Sequence, residues 1–507
     1  MRMSSPPTTT HFICWFVVLF AVTQFPLYWV QYSDIHDLPN HLARLHVLIN
    51  FSESEILQRY YTLRNWQIYP YLAMEVVVPI LAKWMDLLLA FKVFASLATL
   101  LMTTGAVALG RAINGQLSYL LLGVLLFTQN AIFQAGLLNY LFGLGVALWL
   151  LAAWVHFRER YSLYHGIIFA LGCILVYLCH LSAFGVYAVG VFGYELGRTR
   201  TPRAWLTRFT LEALLRSSMQ FIPVFALHAL VSTSSGNYIP VQMDSSWITF
   251  FYQFIAYKAI LLAIFVPLSI SGYKFSVLGY LLVLVLYVGF RERVLTVVTP
   301  IRWMAGALAA CLLLLPHGGF GSELLDIRLM PALVLILWSG LRIHGHSKLP
   351  HNVALAFIVA VVFMISALTT REYALRDDEY RQVRSALSKI PMGSRVATVR
   401  FEQPKFSSIS LHTGAWSVVD RSAFLSSLYA RPFLPTWVAY RAPYDSLATL
   451  ARVDDGRTPP AYESVKKVYD YVLIYGGSEA KRTEYAPDAK PIFDSPSFRL
   501  LQTKHDH

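Results

Sequence analysis

The chain has 507 residues, of which 56% are hydrophobic and only 14% charged, against about 25% charged in an ordinary soluble domain. With a mean hydropathy of +0.50, this composition excludes a typical soluble protein and points to a polytopic membrane protein. The net charge of +13 does not read as nucleic-acid binding: the basic residues sit in short loops and in a mixed-sign coat on the C-terminal part, with no basic stripe interleaved with aromatics.

Residues 11–30 predict a first membrane helix. The segment lacks a small-residue cleavage site and reads as a retained anchor. The run YSDIHDLPNHLARL, residues 32–45, follows directly. A helix over 38–50 is expected, since Pro39 is tolerated in a first turn where its missing N–H has no helical partner. Asp37, His41 and Arg44 then fall at i, i+4 and i+7, on one face. Leu38, Leu42, Leu45 and Ile49 form a separate apolar stripe. Such a helix is expected to lie on the membrane with its polar row turned to a cleft. Asp37 also stands where an N-cap belongs, and capping alone explains it equally. A capping carboxylate is stabilised as the anion and is a poorer base, which leaves Asp34 as the alternative.

Two apolar stretches, 71–84 with Glu75, Pro79 and Lys83, and 247–270 with Lys258 and Pro267, are expected at the outer interface rather than across the bilayer. The expected spans are 11–30, 89–110, 116–131, 137–156, 163–180, 182–196, 206–230, 273–290, 301–316, 329–345 and 352–370. Their loops carry a basic series: Arg111, then Arg158 and Arg160, then Arg198 to Arg208, then Arg291 and Arg293, then Arg342 and Lys348. With these loops cytoplasmic, the N-terminus is inside and the C-terminal segment outside. That topology gathers Asp34, Asp37, His41, Arg44, Asn139, Tyr140, His180, Asp326 and Arg328 at one outer face. Ionisable groups at such a place usually mark a functional site. Each also has a plainer reading. His41 and Arg44 suit headgroup anchoring. Asn139 and Tyr140 suit interhelical bonding. Arg328 suits an ion pair with Asp326, although an arginine at headgroup depth is also a natural phosphate ligand.

From residue 371 the chain turns hydrophilic. A helix over 380–388, a turn at Pro391-Met-Gly-Ser394, and strands over 395–401 and 469–475 predict a small α/β domain outside the membrane. Two domains follow, 1–370 (with 31–88 as its first external loop) and 371–507. Cys14, Cys173, Cys179 and Cys311 all lie in expected spans, and no Cys/His spacing suggests zinc, so no metal site and no cofactor are expected. No internal repeat supports an inverted-repeat transporter.

Asp37-Leu-Pro-Asn-His-Leu-Ala43, Tyr69-Pro-Tyr-Leu-Ala-Met-Glu75, Gln134-Ala-Gly-Leu-Leu-Asn-Tyr140 and Asp326-Ile-Arg328 together resemble the GT-C superfamily of membrane glycosyltransferases, in a bacterial branch. The superfamily includes protein O-mannosyltransferases and aminoarabinose transferases. Its first external loop carries an acidic motif at the start of an amphipathic helix, followed by a proline-containing apolar segment. The hydropathy plan resembles the family over residues 1–370. Family enzymes often carry adjacent acidic residues, whereas here His36 and Leu38 flank Asp37, and Asp34 is the nearest second carboxylate. The resemblance implies a polyprenyl-phosphate-linked sugar donor, a lipid or glycan acceptor, and inverting transfer at the outer face of a bacterial inner membrane. Asp37 would be the base, with Asp34 as runner-up. Arg328, helped by His41, Arg44 or His180, would hold the phosphate near Asp326, and Asn139 and Tyr140 would line the sugar pocket. Asp37 and Arg328 are expected to share one pocket. The competing classes are a lipid or glycan transporter or flippase, a non-catalytic assembly protein, and a glycan polymerase or ligase. The transporter requires ionisable residues through the membrane depth.

Overall fold

A computed structural model describes residues 7–64, 68–160, 162–198, 207–234, 276–316, 324–343, 351–401, 412–430, 436–450 and 459–503. The fold is mainly helical. Among the described residues, five helices are long and apolar enough to cross a membrane: Thr9–Trp29, Leu87–Asn114, Leu138–Arg160, Thr210–Val231 and Asn352–Leu387. Shorter apolar helices include Leu163–Cys179, Leu181–Gly197, Thr299–Leu314 and Leu329–Ser339. The expected interfacial stretch 247–270 lies outside the described residues.

The chain forms two compact units. One comprises Met1–Pro26, Ile68–Met74 and Phe94–Thr369, and the other Leu27–Gln67, Glu75–Val93 and Thr370–His507. Of the loop expected over 31–88, residues 31–67 and 75–88 group with the C-terminal segment and 68–74 with the apolar helices.

In the first unit, small residues let helices meet closely. A Cβ on Gly145, in the Leu138–Phe157 helix, would stand 2.6 Å from the Leu101 backbone of the Leu87–Asn114 helix. The span expected over 116–131 forms not as a continuous α-helix but as a 3-10 run, Tyr119–Phe127, followed by a short helix, Ala131–Ala135. The indole of Trp338 explains the difference. It donates to the Leu120 carbonyl at 2.6 Å, and it packs where a Cβ on Gly123 would lie. The span expected to reach residue 345 stops at Ser339. The chain then enters strand β3 (Leu341–Ile343), which pairs antiparallel with β2 (Leu295–Val297).

In the second unit, β1 (Tyr61–Leu63) pairs antiparallel with β6 (Val438–Tyr440). A five-stranded sheet runs in the order β5-β4-β7-β9-β8. Its strands are β4 (Arg395–Arg400), β5 (Phe424–Leu425), β7 (Tyr471–Tyr475), β8 (Lys490–Asp494) and β9 (Phe498–Gln502). The expected α/β character of the C-terminal segment is therefore present. β4 lies parallel to both β5 and β7, and such interior strands are buried on both faces. That is why β4 is almost continuously buried rather than alternating. The helix expected over 380–388 is the end of a single 37-residue helix, His351–Leu387.

Candidate functional site

The helix Leu38–Asn50 forms as the sequence spacing predicts, with Pro39 in its first turn. Its polar row is enclosed, not open: Asp37, His41 and Arg44 are 8%, 1% and 2% exposed. Asp37 holds the backbone position of an N-cap, yet its side chain makes no capping bond. The carboxylate turns instead to residues from the far end of the chain. Its Oδ1 lies 3.2 Å from His412 Nε2 and accepts the Tyr429 hydroxyl proton at 3.2 Å. Its Oδ2 lies 4.0 Å from His41 Nε2. His41 stacks on Phe91, with 6.2 Å between ring centroids, and His36 meets His412 edge-on at 5.3 Å.

His412 and Thr413 follow β4, whose last residue, Arg400, pairs in register with Tyr475 at the end of β7. β4 connects through the Trp416–Arg421 helix to β5 on one side, while β7 lies on its other side. The carboxyl ends of β4 and β7 therefore form a topological switch point, where open α/β sheets bind ligands. The charge of Arg400 acts on His36, and Gly414, two residues after His412, packs against the Thr398 hydroxyl of β4, so the Asp37 cluster lies beside β4.

Burial pushes the Asp37 carboxyl up, but the His412 hydrogen bond and the charges of His412, His41 and His36 outweigh it and hold the group down at about 2. Desolvation, with the charges of His412 and Arg400, lowers His36 from 6.5 to about 4 against the pull of Asp37. The folded protein therefore binds the His36 proton later than the unfolded chain does. Stability is lost as pH falls from 6.5 towards 4, by roughly 3 kcal/mol from this residue. Glu75 opposes this trend. Burial raises it from 4.5 to about 7 against the charge of Arg44, so its contribution is lost as pH rises through that window. The expected result is therefore a difference between variants: His36→Asn gains stability relative to the parent at pH 5 but not at pH 7.5, as read by thermal unfolding in detergent. Equal shifts at both pH values would refute the buried neutral imidazole.

Arg44 was a candidate phosphate ligand. It is paired instead with Glu75, Nε to Oε1 at 3.2 Å, with both side chains almost fully buried. The pair accounts for an acid that the sequence left without a partner. Asp34 is half-buried, and its charge acts on Tyr373 and Tyr380 of the long helix.

The remaining candidates lie in the other unit. Asn139 is buried; its Oδ1 accepts the Met74 amide at 2.6 Å and its Nδ2 donates to the Tyr71 carbonyl. The Tyr140 hydroxyl donates to the Arg328 carbonyl. His180 caps the Leu181–Gly197 helix, its Nδ1 accepting the Ser182 amide at 3.0 Å. Its rings neighbours are Tyr71 and Tyr140. With Nδ1 accepting, a neutral ring carries its proton on Nε2, which lies 3.4 Å from Arg328 Nη1. Two donors thus converge, an arrangement suited to an anion. Asp326 is fully buried and its Oδ1 accepts the adjacent Ile327 amide.

The sequence reading missed His36, Asn40, Arg400, His412 and Tyr429. One signal was available: His412 is the sole histidine between residue 371 and the last three residues of the chain. No family model matches the sequence, and no curated protein matches it.

Proposed function

We propose that this chain is an integral-membrane glycosyltransferase that moves a sugar from a polyprenyl-phosphate carrier to a lipid or glycan acceptor, with inversion and with Asp37 as general base. In this reading eleven segments span the inner membrane of a bacterium, the N-terminus is inside, and the C-terminal sheet lies on the cell-envelope side. The observation that supports it best is the state of the Asp37 carboxylate. It is buried, does no capping, and is engaged through Oδ1 by His412 and Tyr429. An inverting displacement needs one base to take the acceptor's proton as it attacks. The leaving group is a phosphate, so a second carboxylic acid is less necessary than in glycoside hydrolysis, and cationic donors serve the departing charge. Arg328, with His180 beside it, is the proposed phosphate ligand.

The experiment is transfer by the purified full-length protein from a panel of polyprenyl-phosphate sugars, with product read by mass spectrometry. Consumption of one donor with inversion at the anomeric carbon is expected, and no transfer from any member would sink the proposal. A charge-assisted hydrogen bond contributes about 1.5–3 kcal/mol, so Arg328→Ala is expected to raise the donor KM roughly ten- to a hundredfold. An unchanged donor KM would remove Arg328 from the phosphate.

A further inference from the structure

His36, Asp37 and His412 bring their ligand atoms within 4.8 Å of one another, a spacing that fits either a cation or a shared proton. The surroundings of His412 decide between them. Asn40 is fully buried on the helix Leu38–Asn50. Its Oδ1 accepts the Tyr429 backbone amide at 2.8 Å and its Nδ2 donates to the Ser427 carbonyl at 3.0 Å. These two backbone partners fix which end of the amide is the donor, and flipping it would lose both bonds. The same Nδ2 lies 3.3 Å from His412 Nδ1, so that ring nitrogen receives a proton and carries none.

We propose that Asn40 is a positioning residue that locks His412 in the tautomer with its proton on Nε2, making the Asp37 cluster a proton-handling site and not a metal site. A histidine that ligates a metal through Nε2 donates its Nδ1–H to an acceptor; here Nδ1 meets an amide donor. With the proton on Nε2, the ring donates towards Asp37 Oδ1 at 3.2 Å and the Tyr429 oxygen at 2.9 Å. The Tyr429 hydroxyl proton then goes to the same Asp37 oxygen. Oδ1 is saturated, and Oδ2 is left as the oxygen that takes a proton. The kinetic part of this inference rests on the proposed role of Asp37; the tautomer does not.

The test is nitrogen NMR of the full-length protein labelled with [15N]histidine in nanodiscs, with His412 assigned through His412→Gln. The expected spectrum places the ring proton on Nε2 and is unchanged by stoichiometric Zn2+. Asn40→Asp sets an acceptor against Nδ1 and is expected to bring a proton to that nitrogen. It is also expected to lower kcat roughly tenfold, the equivalent of one net hydrogen bond, with donor KM within about twofold. A wild-type ring protonated on Nδ1, or His412 signals that shift with Zn2+, would overturn the inference even if the variant does not fold. The expected spectrum in a protein that transfers no sugar would keep the tautomer and overturn the glycosyl-transfer reading instead.

Discussion

Under the proposed function, Asp37→Asn is expected to lower sugar transfer by about 10²–10⁴-fold, the range for loss of a general base, while the protein stays folded and inserted. The substitution keeps the shape of the side chain, and an amide oxygen still accepts from His412 and Tyr429. Only the proton acceptor is lost, so kcat falls and donor KM holds. Asp34→Asn is expected to stay within about twofold, since the cluster of His36, Asp37 and His412 does not include it. The pH dependence is equally specific. A carboxyl held at about 2 is ionised throughout the physiological range, so the acid limb of kcat/KM lies below pH 4. A base this weak has little driving force of its own; it works only on a proton made acidic as the acceptor oxygen forms its bond to the sugar. Undiminished turnover in Asp37→Asn, or a limb near pH 6.5 that follows Asp37, would refute the assignment.

The largest effect on stability is expected at the Arg44–Glu75 pair. Removing one partner of a buried ion pair costs about 3–5 kcal/mol, because the other charge is left uncompensated. Arg44→Leu alone is therefore strongly destabilising at pH 8. It is less so at pH 5, where Glu75, raised to about 7 in the parent, is protonated and needs no counter-charge. Arg44→Leu with Glu75→Leu recovers most of the loss, since apolar side chains of similar volume often replace such a pair without penalty. Denaturation midpoints of the three variants at both pH values check this. A double variant no more stable than Arg44→Leu would show that the pair has another role.

What the sequence made legible was local periodicity. The spacing of Leu38, Leu42 and Leu45 predicts the helix Leu38–Asn50, and β-rich runs predict β4 and β7 within a residue or two. What it hid depended on distant partners. The 3-10 run Tyr119–Phe127 owes its form to Trp338, which lies 218 residues after Leu120. Arg44 reads as a ligand from its own helix, and only the fold sets Glu75 beside it. Asp37 looked like a cap because capping is a local rule, and the groups that turn it away, His412 and Tyr429, come from beyond the last apolar helix. The candidate acid was readable from its neighbours in sequence, while the machinery around it was not.

The pairing of Tyr61–Leu63 with Val438–Tyr440 has a consequence for biogenesis. Tyr429 follows Asp37 by 392 residues, which at 5–20 residues per second is roughly 20 to 80 s of translation. During that interval the strand Tyr61–Leu63 has been made without its partner Val438–Tyr440. Nascent chains arrested between residues 388 and 411 hold every apolar helix among the described residues but lack His412 and Tyr429, so completion of the Asp37 centre is governed by the last fifth of the message.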